Sequence, residues 1–476
     1  MRNGYLCALT ALVLSAGLAT AQSKVIKSTN FLQPASSPPA VTMMEPTETL
    51  PPPRTVPGAM TPTILPGAST TSGDEEGVYH STTFSAFASG EVPGPDAAEG
   101  FGPPPLCGPG GCFPHNTCGP DGCFWANMEM LFWWTRSTHV PPLVTTSNAN
   151  DAGVIDRPST SILYGDDNIK QNVIPGARFT LGLWIDDENR WGVEGNYFFL
   201  GSHAKNVTFG GTGAAGDPVI ARPFFNVNSN AEDAVLVNFP GLFAGTVNVR
   251  TSERLAGGEI NVLCNTCCGA HFRIDALIGL RYFELHDGLS INQDLAVVPN
   301  VNVISNARFS LFDQFDTSNQ FWGGNLGFKG EARLGKFYTA FTGKVAIGGV
   351  QEVVTINGAT AITAPGFLPA VFPGGILTQP TNIGHFTHRN FAVLPEAGLD
   401  LGYQICANTR IYIGYTFLYL SNAARPGEQI DRGLNPAQFP INGINPIVSG
   451  AARPSFSFRD TDFWAQGARV GLEFRY

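Results

Sequence analysis

From Phe124 to Tyr476 apolar residues recur at every second position in ten separate stretches. A period of two marks a β-strand with one apolar and one polar face. The stretches are FWANMEMLFWW (124–134), ARFTLGLWID (177–186), WGVEGNYFFL (191–200), RLAGGEINVL (254–263), HFRIDALIGLRYF (271–283), FWGGNLGFKGEARL (321–334), KFYTAFTGKVAIG (336–348), NFAVLPEAGLDLGYQI (390–405), TRIYIGYTFLYL (409–420) and DFWAQGARVGLEFRY (462–476). Each is long enough to cross a bilayer at a tilt, which takes about 9–11 residues.

The gaps between them alternate long and short. The short turns are DENR, CNTCCGA, the one around Gly335 and Cys406-Ala407-Asn408. Bacterial outer-membrane barrels have an even strand number, short periplasmic turns and long external loops, whereas a soluble sandwich has no reason to alternate this way. Segment five sets Phe272, Ile274, Ala276, Ile278, Leu280 and Tyr282 on one face and Arg273, Asp275 and Arg281 on the other. Segment nine sets Ile411, Ile413, Tyr415, Phe417 and Tyr419 against Arg410, Tyr412 and Thr416. A charge facing lipid at mid-depth costs about 2–4 kcal/mol, so a bilayer enforces this segregation. Trp133, Trp134, Tyr282, Trp322, Tyr419 and Trp464 fall near the external ends. Trp125, Trp184, Trp191, Tyr403 and Tyr476 fall near the periplasmic ends, giving two expected interfacial girdles. The expected fold is all-β: an antiparallel transmembrane β-barrel of about ten strands with long external loops, preceded by a disordered linker.

Residues 1–21 read as a signal peptide. Arg2 precedes the apolar LCALTALVLSAGL, and Ala19-Thr20-Ala21 forms a cleavage site before Gln22. Cys7 lies inside the apolar core, which argues against a lipoprotein. Beyond it no run of 18 apolar residues occurs, so membrane-spanning helices are excluded and a closed barrel is the remaining way to span. Residues 22–106, with SSPPA, LPPPR and GFGPPPL, lack apolar periodicity and read as a disordered, mildly acidic linker. The formal charge of -10 makes nucleic acid an unsuitable partner.

Residues 107–123 repeat the unit CGPxGCF, with Cys107, Cys112, Cys118 and Cys123. Four residues separate the paired cysteines, wider than zinc pairs usually show, and export favours disulfides over a metal or free thiols. Cys264, Cys267, Cys268 and Cys406 fall in short turns. All eight are expected at the periplasmic rim, with at least one disulfide among them.

MLFWWTR, PPLVTTS, ARFTLGLWID, YFFLGS, ARPFFN, NQFWGGNLGF, GKVAIGG, QEVVTINGAT, GYTFLYLSNAARPGEQID and DFWAQGARVGLEFRY occur in one order. Over residues 124–476 this ordered set resembles the planctomycete-type outer-membrane barrel family named beta-barrel porin seven. The resemblance implies an outer-membrane barrel and carries no catalytic site.

Ten strands imply a narrow or occluded lumen, since about eight give a filled interior and 16–18 an aqueous channel. Facing assigns Arg178, Arg273, Arg281, Lys329, Arg333, Lys344, Arg410 and Arg469 to the lumen, against Glu129, Glu194, Glu259, Asp275, Glu331, Glu396, Asp400 and Glu473. The near balance of sign suits a paired ladder bracing the wall better than a selective conduit, which tends to gather one sign.

Chemistry has few candidates. His286 and Asp287 are adjacent, so on an extended chain they point apart, and they read as solvated loop residues. His385 and His388 lie in a Gly/Thr-rich loop with no carboxylate near in sequence. No cofactor, metal or catalytic residue is expected. The loops offer Arg222, Phe224 and Phe225 in ARPFFN, and Arg425, Glu428, Asp431 and Arg432 in RPGEQIDRGLN; folding into the barrel mouth would cover the two phenylalanines. The terminal ARVGLEFRY is expected to pair with the first segment, and Leu472, Phe474 and Tyr476 resemble a signal read by the barrel assembly machinery. The expected partners are outer-membrane lipid, that machinery and small solutes. The expected role is transport or wall structure, with a surface or periplasmic binding module as the alternative.

Overall fold

A computed structural model describes residues 122–169, 172–186, 189–269, 271–299, 306–440 and 450–476. The signal peptide, the linker and the repeat as far as Asp121, with Cys107, Cys112 and Cys118, lie outside the described residues. Ten antiparallel strands form the wall: β1 (Phe124–Thr135), β2 (Ile174–Trp184), β3 (Trp191–Leu200), β4 (Phe243–Gly269), β5 (Phe272–Val297), β6 (Arg308–Leu334), β7 (Phe337–Thr363), β8 (Gly384–Cys406), β9 (Thr409–Ala424) and β10 (Asp460–Arg475). Each pairs with the next in chain order, and β10 returns to β1. Closure leaves no open end to the ring, as a sheet in lipid requires; above Glu396 the β8–β9 ladder gives way to side-chain bonds from Ser421 and Asn422. Among the described residues no helix is long and apolar enough to cross a membrane.

The seam runs from Trp125 opposite Arg475 to Thr135 opposite Ala465. It is locked at the periplasmic end, where the Tyr476 carbonyl accepts from the N–H groups of Cys123 and Phe124 at 2.7 and 2.9 Å. Gly122 has φ +109°, and a Cβ there would meet the Tyr476 backbone at 2.9 Å, so the approach to the seam needs glycine. Leu472, Phe474 and Tyr476 are exposed on the outer face.

The central strands are far longer than their periodic segments. The run 254–263 lies within a 27-residue strand, as does 321–334. On β6 the outer face carries Trp322, Leu326, Phe328 and Leu334, all exposed. At about 3.3 Å per residue this stretch is about 40 Å long, or about 28 Å of height at a 45° tilt, the thickness of a hydrocarbon core. Above Trp322 the outer face turns polar, with Gln320, Ser318, Asp316 and Gln314, while the buried inner face carries Phe321, Phe315 and Leu311 among Asn319, Thr317 and Asp313. Much of what reads as long loop in the sequence is thus strand rising beyond the membrane. The alternation continues with its phase inverted, because the outside has changed from lipid to water.

The rising walls enclose a second sheet. Residues 219–226 and 231–238 form a hairpin, joined by 144–147, 161–164 and the short 433–434. Val144, Ile220, Phe224, Val235 and Leu434 from this sheet share one core with Val249, Ile291, Phe315 and Ile356 of the walls.

Candidate functional site: the barrel interior

The interior of the membrane-spanning part holds a two-sign network. Glu396 on β8 accepts from Arg178 on β2 at 3.0 Å, pairs with Arg281 on β5 and lies 3.5 Å from Lys344 on β7. Glu259 on β4 takes Lys344 at 2.5 Å and Arg281 at 3.6 Å. Glu129 on β1 lies 3.7 Å from Arg178 and 3.5 Å from Arg469, and accepts from the Tyr412 hydroxyl at 2.7 Å. Asp400 takes two bonds from Arg469, both 2.8 Å. Four carboxylates thus meet four cations. Such buried charges are tolerated only when paired and hydrogen-bonded.

Toward the periplasm, Glu194 pairs with Lys329 and accepts from the Trp125 indole at 3.1 Å. Arg273 pairs with Asp275 at 2.8 Å and lies over the Trp184 ring. Glu331 meets Arg333 at 2.5 Å and Arg410 at 3.0 Å, and Arg410 reaches Glu473 at 3.6 Å. A cavity of about 160 Å³ lies among these side chains, lined by Trp125, Glu129, Arg178, Glu194, Lys329 and Tyr338, among others.

Above the charges sits an apolar layer to which every wall strand contributes: Leu131, Ile174, Phe198, Leu255, Phe283, Phe321, Val350, Leu394, Leu418 and Phe463, none more than 2% exposed. Phe283 bridges Phe198 and Phe463, with ring centroids 6.5 and 6.2 Å away. Arg178 roofs the charged level against the rings of Trp133 and Phe198.

Higher still, Arg425 reaches Asp287 at 2.8 Å and Glu253 at 3.2 Å, all three buried. Burial pushes the Asp287 carboxyl up to about 7; Arg425 opposes that rise and Glu253 adds to it. Arg222 meets Asp313 at 2.7 Å. One oxygen of Asp313 also accepts from the N–H groups of Ile376, Leu377 and Thr378 at 2.9–3.0 Å, fixing that segment inside the walls. Phe224 is buried against Phe439, whereas Phe225 is only partly covered. Glu428 lies half-buried in the short helix Pro426–Gln429. Asp431 accepts from Arg453 and the Ser455 N–H, both at 2.8 Å, and from the Gly433 N–H at 2.9 Å. Hydrogen bonding, led by Ser455, holds its carboxyl below the usual range against the opposing effect of burial.

Several sequence expectations need correction. Trp125, Trp133 and Trp184 are not girdle residues: Trp133 is fully buried within the barrel, and Trp125 and Trp184 pack against each other inside it at a 41° tilt, ring centroids 5.0 Å apart. They lie on the inner phase of their strands, which tryptophan content near a strand end does not reveal. Of the cysteines expected at this rim, Cys123 is disulfide-bonded, whereas Cys264, Cys267 and Cys406 are free thiols. Three strands separate β4 from β8 on the shorter way round, several times the ~4.8 Å strand spacing, while a disulfide needs Cα atoms within about 7 Å. His286 and Asp287 are not solvated loop residues but sit on β5, with Asp287 buried. His385 and His388 are likewise on a strand, β8, and His388 lies 3.6 Å from Glu352 and 4.0 Å from Asp460. Sequence reasoning missed Glu352 because its partners come from strands 36 and 108 residues away.

A closed ten-strand ring with an apolar belt outside and paired charges inside defines an outer-membrane β-barrel protein. The chain belongs to the family described as Putative beta barrel porin-7 (BBP7), whose model matches residues 125–476. No curated protein matches it. Among solved structures it is similar to the outer membrane protease OmpT from Escherichia coli, at 10% identity and TM-score 0.38, covering 75% of this chain and 98% of that one. It is also similar to the toluene transporter TodX from Pseudomonas putida, at 9% identity and TM-score 0.21, covering 76% and 92%. A FadL homologue from Pseudomonas aeruginosa matches at 6% identity and TM-score 0.21, covering 75% and 90%. Likenesses this distant carry no argument about activity.

Proposed function

We propose that this protein is a structural outer-membrane barrel whose lumen is occluded, carrying a folded platform on its external side, and not an open diffusion pore. The apolar layer drawn from all ten strands carries this reading. A water-filled channel would have to cross it, and solvating those side chains would forfeit about 1.5–3 kcal/mol for each large one. The balanced network beneath braces facing walls, and the mouth sheet with residues 425–439 covers the outer end. The reading assigns no catalysis. It includes export by the N-terminal signal, contact with membrane lipid, and assembly by the machinery that reads Leu472, Phe474 and Tyr476; deleting Tyr476 should lower the level of inserted barrel.

Planar-bilayer recording of the purified protein tests the occlusion. Membranes that stay silent, with liposomes impermeable to small sugars, are the expected result; stable large-conductance steps would overturn it. The alternative of a display module is favoured by the strands that rise beyond the apolar belt and hold their own core. It predicts saturable binding of a surface or periplasmic partner in the absence of solute flux.

A further inference from the structure

Glu352 stands apart from every other fully buried acid of the described residues. Glu129, Glu194, Glu253, Glu259, Asp275, Asp287, Asp313, Glu396 and Glu473 each meet an arginine or lysine. Glu352 meets neither; its ionic neighbours are His388 and a second carboxylate, Asp460. It is 0% exposed, and its Oε1 has no hydrogen-bond partner among the described residues. A buried carboxylate left this way must take up a proton or meet a cation.

The fold supplies the rest of a ligand set. Glu352 on β7 lies directly opposite His388 on β8. The backbone pairing of β8 with β9 ends at Glu396, and Ser421 and Asn422 side chains bond β8 only as far as Phe391; beyond it β8 has no strand partner on that side among the described residues, and Asp460 opens β10 beside it. One donor atom each of Glu352, His388 and Asp460 lies within 4.8 Å of the others. The Asn390 amide donates to both carboxylates, at 3.1 and 2.7 Å, and the Phe458 ring packs against His388 at 5.0 Å. His388 and Asp460 are open to solvent, giving an ion a way in.

We propose that Glu352, His388 and Asp460 form a binding site for one divalent transition-metal ion at this notch in the barrel wall. Imidazole with two carboxylates is a donor set that suits zinc, and solvent supplies the fourth position. Donor atoms around tetrahedral zinc stand about 3.3 Å apart, given bonds of about 2.0–2.1 Å. The gaps of 3.6 and 4.0 Å from His388 therefore need to contract by less than about 1 Å. The ion would clip β7 and the free edge of β8 to the start of β10.

Isothermal titration of the chelator-treated, refolded full-length barrel with zinc chloride tests this. The background replaces all eight mature cysteines, Cys107, Cys112, Cys118, Cys123, Cys264, Cys267, Cys268 and Cys406, with serine, to remove competing thiols. One saturable equivalent is expected, weakened at least 10-fold by Glu352→Gln, His388→Ala or Asp460→Asn and unchanged by His385→Ala. The resistance of each variant to unfolding by detergent on heating reports whether the barrel is intact. Cobalt(II) should give a visible d–d spectrum in the parent and lose it in His388→Ala. No saturable binding, or binding that survives His388→Ala and Asp460→Asn in folded barrels, would overturn the proposal.

Discussion

The Arg178 guanidinium donates to the Glu396 carboxylate at 3.0 Å across the barrel interior. The strands that carry them, β2 and β8, are separated by three others on the shorter way round. The bond therefore ties walls that no backbone ladder joins. Glu396 also meets Arg281 and Lys344, so Glu396→Ala takes one carboxylate from three buried cations at once, leaving them only Glu259 and Glu129. The expected loss is at least about 3–5 kcal/mol, measured by denaturant unfolding in detergent micelles. A loss below about 1 kcal/mol would show that the network is solvated.

Phe283 is the centre of the apolar layer, touching rings from β3 and β10. Phe283→Ala should cost about 3–5 kcal/mol through lost burial and the cavity left behind. Truncating Phe198 and Phe463 as well should open a path for ions, seen as conductance absent from the parent.

The membrane boundary at Trp322 can be located by charge. Leu326 faces outward within the apolar belt, and Leu326→Arg should cost about 2–4 kcal/mol in lipid. Gln320→Arg, on the same face just above Trp322, should change stability by no more than about 0.5 kcal/mol. Equal penalties would move the boundary.

Asp287 makes the mouth sensitive to pH. Its carboxyl, pushed up to about 7 chiefly by burial, holds a proton more tightly in the folded state than in the unfolded chain. This contribution is complete below about pH 4 and is lost as pH rises to about 7. Asp287→Asn should flatten that fall in unfolding free energy; a parallel curve would assign it to other groups.

Cys267 and Cys406 are exposed in or beside short turns at the end opposite the mouth. A membrane-impermeant maleimide should label them without prior reduction when it enters the periplasm, and not from the surface of intact cells. Non-reducing peptide maps of the same samples test the expected disulfide among the eight mature cysteines, with Cys123 as a member.

The sequence by itself determined the ten strands, their chain-order pairing and the closure of β10 on β1. Period-two alternation and the alternating gaps are local properties, and an even, up-and-down barrel is the arrangement that satisfies both. Tertiary structure decided where the strands end. Phe321 and Trp322 are adjacent, yet one is 0% and the other 64% exposed. The segment begins there because the apolar phase inverts, and alternation names an apolar face without saying whether lipid or a protein core covers it. The same ambiguity hid the inward tryptophans. The grouping of Glu352, His388 and Asp460 was illegible for a different reason: their strands meet only because the ring closes and β8 outruns β9, a relation among distant segments that no local pattern records.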